Sequence, residues 1–249
     1  MSYQSGQNLR TEEASFLKVE ADSGIVIIPD ANLLFNGSFS RVGTDLYISG
    51  DGHNPVIVPD YFETDDLATL SSPNGAWLTG DVVRSLVGPL AAGQVAQSGA
   101  PEGEPPIGQV ETLSGEATAT RADGTVVTLE VGALLYKGDV VATGAESKID
   151  ILLVDETIFS MSADARMVLD ELVYAPGRED NTMLVSLVQG GFVFVTGLVA
   201  HTGYMKVTTP VATVGIRGPA PTVFISAGAG TVEFWLVPEP VGTYGPYVL

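Results

Sequence analysis

The stretch ADGTVVTLEV, Ala122–Val131, decides the fold class. Asp123 and Gly124 tolerate positive φ, so the pair marks a tight turn between two strands. After it, Val127, Leu129 and Val131 fall on one face of an extended chain, and Thr128 and Glu130 on the other. A period of two is the pattern of a half-buried strand. Further along, Ile149, Ile151 and Leu153 repeat the pattern, and Phe192 and Phe194 repeat it again. The region around them reads as five or six short strands separated by glycine turns.

Upstream, short apolar runs continue this reading. GIVIIPD, NLLFNGSF and TDLYISGDGHNPVIVPDYF are broken by Pro-Asp, Asn-Gly and Asp-Gly pairs. Asn36-Gly37 and Asp51-Gly52 are hairpin-turn signals for the same φ reason. Leu78–Gly88 is the best helix candidate, with Thr79 or Asp81 as its cap and Val82, Val83, Leu86 and Val87 as its apolar face. The expected fold is all-β: a domain of stacked short strands, either a β-sandwich or a twisted solenoid-like stack, preceded by a smaller mainly β segment with one short helix.

The expected organisation has five parts. Residues 1–20 are a flexible polar tail, 21–88 a small mainly β module, and 89–107 a Pro/Gly/Ala-rich linker. Residues 108–218 are the larger β domain. Residues 219–249 are a C-terminal β extension, with AGAG (Ala227–Gly230) as a hairpin turn, and they read as the start of something longer.

The chain has 249 residues and a net charge of −19, from 11 basic and 30 acidic side chains. The excess is spread evenly, at −10 over residues 1–107 and −9 over the remainder. No basic cluster exists to release counterions from phosphate, so neither nucleic acid nor an anionic membrane surface is an expected partner. Zero Cys excludes disulfides, thiolate metal sites and Cys nucleophiles. The first residues lack a basic region followed by an apolar run, so no secretory signal is visible. Gly190–Ala200 is too short for a membrane span. Membrane insertion is not expected.

Within residues 108–218, five ordered segments resemble the FecR domain family. They are Gly108–Gly124, Leu129–Met161, Ala165–Tyr174, Leu187–Gly197 and Thr209–Gly218, the last reading TPVATVGIRG. The resemblance implies an all-β domain without enzyme activity or cofactor, with a role in signalling or surface assembly. FecR-like domains preceded by an acidic β segment occur near the N-termini of very large bacterial surface proteins. That implies an extracellular or cell-surface location, with a cytoplasmic one as the alternative. The expected function is a non-enzymatic protein-interaction module of a surface or secreted protein. Its rivals are a FecR-type envelope signalling regulator and a hydrolase with an unrecognised site. The family pattern continues Gly-Ile-Arg-Gly with Thr, whereas Pro219 stands here and Pro221 follows. The next strand is therefore expected to be shifted, shortened or absent.

The residues singled out as a structural motif are Gly138 and Asp139 in KGDVV, with Thr209, Pro210, Gly215, Arg217 and Gly218. An arginine between glycines can fold back onto a strand end, since glycine permits close backbone approach. Arg217 is therefore expected to act as a clasp on Asp139, Asp155 or Asp170. The rival is an arginine that binds a partner. His53 and His201 read as surface-turn residues, since neither has a companion for a metal site or a catalytic triad. Weak, dispersed calcium binding is compatible with the acidic surface, and no dedicated loop matches a calcium motif. LAAG, with Ala91, Ala92 and Gly93, resembles di-alanine-glycine sites cut by periplasmic proteases. The competing reading is a plain linker.

Overall fold

The computed structural model describes residues 17–19, 24–87 and 104–217, and the backbone of 222–228 and 231–237. The N-terminal module contains β1 (Leu17–Lys18), β2 (Ile25–Ile27), α1 (Ala31–Asn36), β3 (Ser38–Val42), β4 (Asp45–Ser49), β5 (Val56–Val58), β6 (Thr69–Ser71), β7 (Trp77–Leu78) and α2 (Gly80–Val87). They form two small sheets, β1-β5-β4-β3 and β2-β6-β7. β1 pairs parallel to β5, with Leu17 beside Val56, so the end of the expected tail is part of a sheet.

NLLFNGSF was expected to be extended, and its first part is the helix α1. Asp30 caps it, its carboxylate accepting from Asn32 N–H at 2.9 Å and Leu33 N–H at 3.4 Å. Leu33, Leu34 and Phe35 are all buried, which an alternating strand cannot achieve on one face. Asn36-Gly37 therefore ends a helix, with Gly37 N–H donating to Leu33 O at 3.0 Å. Asp51-Gly52 does turn the β4–β5 hairpin, with Gly52 at φ +75°. α2 forms where expected, capped by Thr79 and burying Val82 and Val83.

The second part holds β8 (Gly108–Ser114), β9 (Ala117–Thr120), β10 (Val126–Thr128), β11 (Leu134–Leu135), β12 (Val140–Thr143), β13 (Lys148–Leu153), β14 (Ile158–Met161), β15 (Arg166–Val173), β16 (Thr182–Val195), α3 (Leu198–Thr202), β17 (Tyr204–Thr208), β18 (Thr213–Ile216), β19 (Thr222–Gly228) and β20 (Thr231–Val237). The whole is all-β with a few short helices, its sheet curled into a half-barrel.

β16 is the spine. Its first half pairs with β15 and, in parallel, with β17. Its second half pairs with β14 and β19. The change of partners falls at Gly190, whose φ is +98°. A Cβ there would lie 2.4 Å from Ala165 Cβ, so only glycine permits the strand to bend across from one layer to the other. β19 is present at Thr222–Gly228 despite the prolines, and β20 pairs with it. The hairpin turn expected at AGAG falls on residues 229–230, which lie outside the described residues.

Between the layers lies a core centred on Ile149, Ile151, Phe159, Phe192 and Phe194, all at most 1% exposed. The Phe159 and Phe194 rings stand 5.1 Å apart. Full burial of each such side chain contributes about 1.5–3 kcal/mol relative to exposure. Val127, Leu129 and Val131 behave differently. β10 ends at Thr128; Leu129 is buried, but Val131 is 65% exposed. There the chain crosses between layers, turning at Gly132, whose N–H donates to Val110 O at 2.8 Å.

Alternate residues of β12, β15 and β16 face outward, yet Val140, Val168 and Val188 are buried too. They join the core of the N-terminal module with Leu33, Phe35 and Val82. That module covers the outer face of the layer at β12, β15 and β16. Arg166 Nη1 donates to Gly37 O at 3.2 Å across the contact, and Trp77 N–H donates to Pro210 O at 2.6 Å.

Candidate functional site

TTPVATVGIRG is a hairpin and not the single strand its β-branched residues suggest. β17 ends at Thr208, and the chain turns over Thr209–Ala212. Thr209 N–H and hydroxyl both donate to Ala212 O, at 2.8 Å each, and Thr209 Oγ1 accepts from Ala212 N–H at 3.1 Å. Proline at 210 fits a turn, because the ring presets φ and no donor is needed. Its free carbonyl takes the Trp77 N–H, so this turn also anchors the N-terminal module.

β18 pairs with β17 on one side and, among the described residues, with no strand on the other. Met205 pairs with Ile216, Lys206 with Gly215 and Val207 with Val214. Met205 and Val207 are buried in the core and Ile216 packs against it. Period two therefore directs Tyr204, Lys206, Thr213, Gly215 and Arg217 to the outer face. Arg217 is exposed and makes no ion pair or hydrogen bond with the described residues. Tyr204, 50% exposed, lies across Gly215, and a Cβ at 215 would meet its hydroxyl at 2.8 Å. Tyr204, Lys206 and Arg217 thus form an aromatic and cationic patch beside an open strand edge.

The clasp expected of Arg217 is made by Arg121. Arg121 Nη1 donates to Asp139 Oδ2, Nη2 donates to Leu134 O at 3.0 Å, and the guanidinium lies 4.8 Å from the Tyr136 ring centroid. Tyr136 N–H also donates to Asp139 Oδ2, at 2.8 Å. Side-chain exposure is 7% for Arg121 and 0% for Asp139. Burial pushes the Asp139 carboxyl up to about 6, against the pull of the Tyr136 N–H and the Arg121 charge. Gly138, at φ +80°, makes the turn that presents it. Sequence reasoning missed Arg121, although a signal was there: Ala117, Ala119 and Arg121 alternate on the core face of β9 and its turn.

The other two expected partners are engaged elsewhere. Asp155 is fully buried, accepting from Thr157 hydroxyl at 2.8 Å and Val199 N–H at 3.1 Å, which ties the β13–β14 turn to α3. Asp170 lies near Ser186 and the Asp81 charge of α2, with Oδ2 unpartnered among the described residues. Burial first, then Asp81, pushes its carboxyl up to about 6.

His53 is held, since its Nδ1 meets Asp30 Oδ2 at 2.5 Å beside the cap of α1. His201 is exposed in the last turn of α3. Among the described residues no group of three or more His, Asp or Glu stands close enough to hold a metal ion. No described helix is long and apolar enough to cross a membrane. Ala91, Ala92, Gly93, Gly218, Pro219 and Pro221 lie outside the described residues.

No curated protein and no solved structure matches this chain. Residues 139–235 match the family model described as FecR protein. The match opens at the buried Asp139, includes the β17–β18 hairpin, and runs through β19 into β20. The strands before it, β8 to β11, lie outside the match, yet β8 pairs directly with the matched β13 and β9 with the matched β12. The segment spanning residues 139–235 belongs to the FecR family, and the chain carries a FecR domain.

Proposed function

We propose that this chain is a non-enzymatic protein-interaction module that docks an extended partner segment along β18. The observation that carries the reading is the edge of β18 that no described strand covers, flanked by Tyr204, Lys206 and Arg217 on one face. An edge strand offers unpaired backbone groups to an added strand, and neighbouring side chains set its preference. The two cations favour a partner with acidic residues on alternate positions. The setting is an extracellular, cell-surface or envelope-facing protein.

The FecR family match supports a second reading, a regulator that relays an envelope signal, and the same edge would receive its upstream partner. The docking step is tested with strand-forming peptides whose alternate residues are Glu or Lys, added to the isotope-labelled chain. The Glu peptide is expected to shift the amide resonances of Thr213–Ile216, with affinity reduced several-fold in R217A. Equal binding of the Lys peptide, or shifts confined to other strands, would overturn the reading.

A further inference from the structure

On the N-terminal module, a cleft of about 120 Å³, partly open to solvent, is lined by Arg41, Phe62, Thr64, Asp65, Leu67 and Arg84. Two of the chain's 11 cationic Lys and Arg residues thus face one space. Their neighbourhood is acidic, with Asp60, Glu63, Asp65 and Asp66 all in the loop that forms one wall. Yet neither guanidinium forms an ion pair with a described carboxylate. Arg41 donates its Nε–H to Gly43 O at 2.8 Å and lies 4.5 Å from the Phe62 ring centroid. Arg84 donates from Nη2 to Asp65 O at 2.7 Å.

These contacts orient both side chains through neutral backbone carbonyls and one aromatic face. The charge is held in place without being neutralised. Arg41 has no further Nε–H to give, so its terminal Nη1 and Nη2 pair is the fork that remains. Arg84 retains its Nε and Nη1 donors. A planar fork of N–H donors matches a carboxylate in two parallel bonds. Pre-oriented donors lose little conformational freedom on binding.

We infer that the cleft is a binding site for a small carboxylate, with Arg41 and Arg84 as its anchors and Phe62 and Leu67 as its apolar wall. The surrounding acids and the net charge of −19 select against a second negative charge on the same group. The site therefore takes a carboxylate in preference to a phosphate dianion.

The test is calorimetric titration of the full chain at pH 8 with butyrate, a monoanion, and with inorganic phosphate, alongside amide-shift mapping of the unmutated protein. Butyrate is expected to bind saturably, to shift the amides of Gly43, Asp65 and Arg84, and to bind more tightly than phosphate. R41Q/R84Q is expected to lose at least tenfold in affinity, and R178Q, at an exposed ion pair elsewhere, none. Absence of saturable butyrate binding, shifts mapping to another region, or tighter binding of phosphate would each overturn the site. So would undiminished affinity in a folded double variant. The mapping on unmutated protein decides the matter even if a variant fails to fold.

Discussion

Tyr204 lies across Gly215 on the open face of the β17–β18 hairpin, filling space that any larger residue at 215 would take. The glycine two positions before Arg217 thus makes room for an aromatic ring and leaves the arginine beside it exposed. Replacing Gly215 with Val should displace the ring and cost about 1 kcal/mol, within the usual range for overpacking. The same change in a Y204A background should cost little. Chemical denaturation of the four proteins in this cycle measures the coupling, and additive effects would contradict the contact.

Arg121 and Asp139 make the buried pair that Arg217 was expected to make. R121M should destabilise by about 3–5 kcal/mol, because it strands a buried carboxylate. R121M/D139N should recover much of that loss. R217A should change stability by no more than about 0.5 kcal/mol, as for an exposed side chain with no partner among the described residues. Equal melting temperatures for R121M and R217A would show that the clasp has been misassigned.

Gly190 lets β16 pass from one layer to the other. G190A combines a positive φ with overlap against Ala165, whose backbone cannot retreat from between β12 and β16. The expected loss is about 2–4 kcal/mol, from strain together with the steric clash. A G190A protein that unfolds at the denaturant midpoint of the parent would refute this account of the bend.

Asp170 should make stability depend on pH in an unusual direction. Its folded value near 6 lies above its ordinary 3.8, so the folded state binds the proton more tightly. Its contribution is full below about pH 4 and is lost as pH rises through 6. Asp139 acts in the same window and the same direction. D170N should therefore raise stability at pH 8 by up to about 3 kcal/mol, leave it little changed at pH 4, and flatten the profile between, since the shift spans about two units at about 1.4 kcal/mol each. Denaturation midpoints at pH 4, 6 and 8 check this, and an unchanged slope would remove Asp170 as its source.

Much of the fold was legible because it rests on neighbours a few residues apart. Ile149, Ile151 and Leu153 alternate because a pleated strand alternates, and Asp123-Gly124 turns because both residues accept the required backbone angles. Helix α2 follows from its cap and its apolar face. Helix α1 was not legible as a helix, since its three consecutive apolar residues also suit a buried strand; Asp30 decides the outcome by capping the backbone. At the candidate site, the exposed Arg217 was visible as an unusual residue, but its role was not.

The amino-acid order alone determined the all-β class, the FecR resemblance, the acidic character and the positions of most turns. Tertiary structure alone decided that Arg121 and not Arg217 holds Asp139, that the N-terminal module covers Val140, Val168 and Val188, and that among the described residues β18 has a strand on one side only. The reason is register. A side chain's parity along its strand is local, but what that face meets depends on strands and modules many residues away, and only the folded chain brings them together.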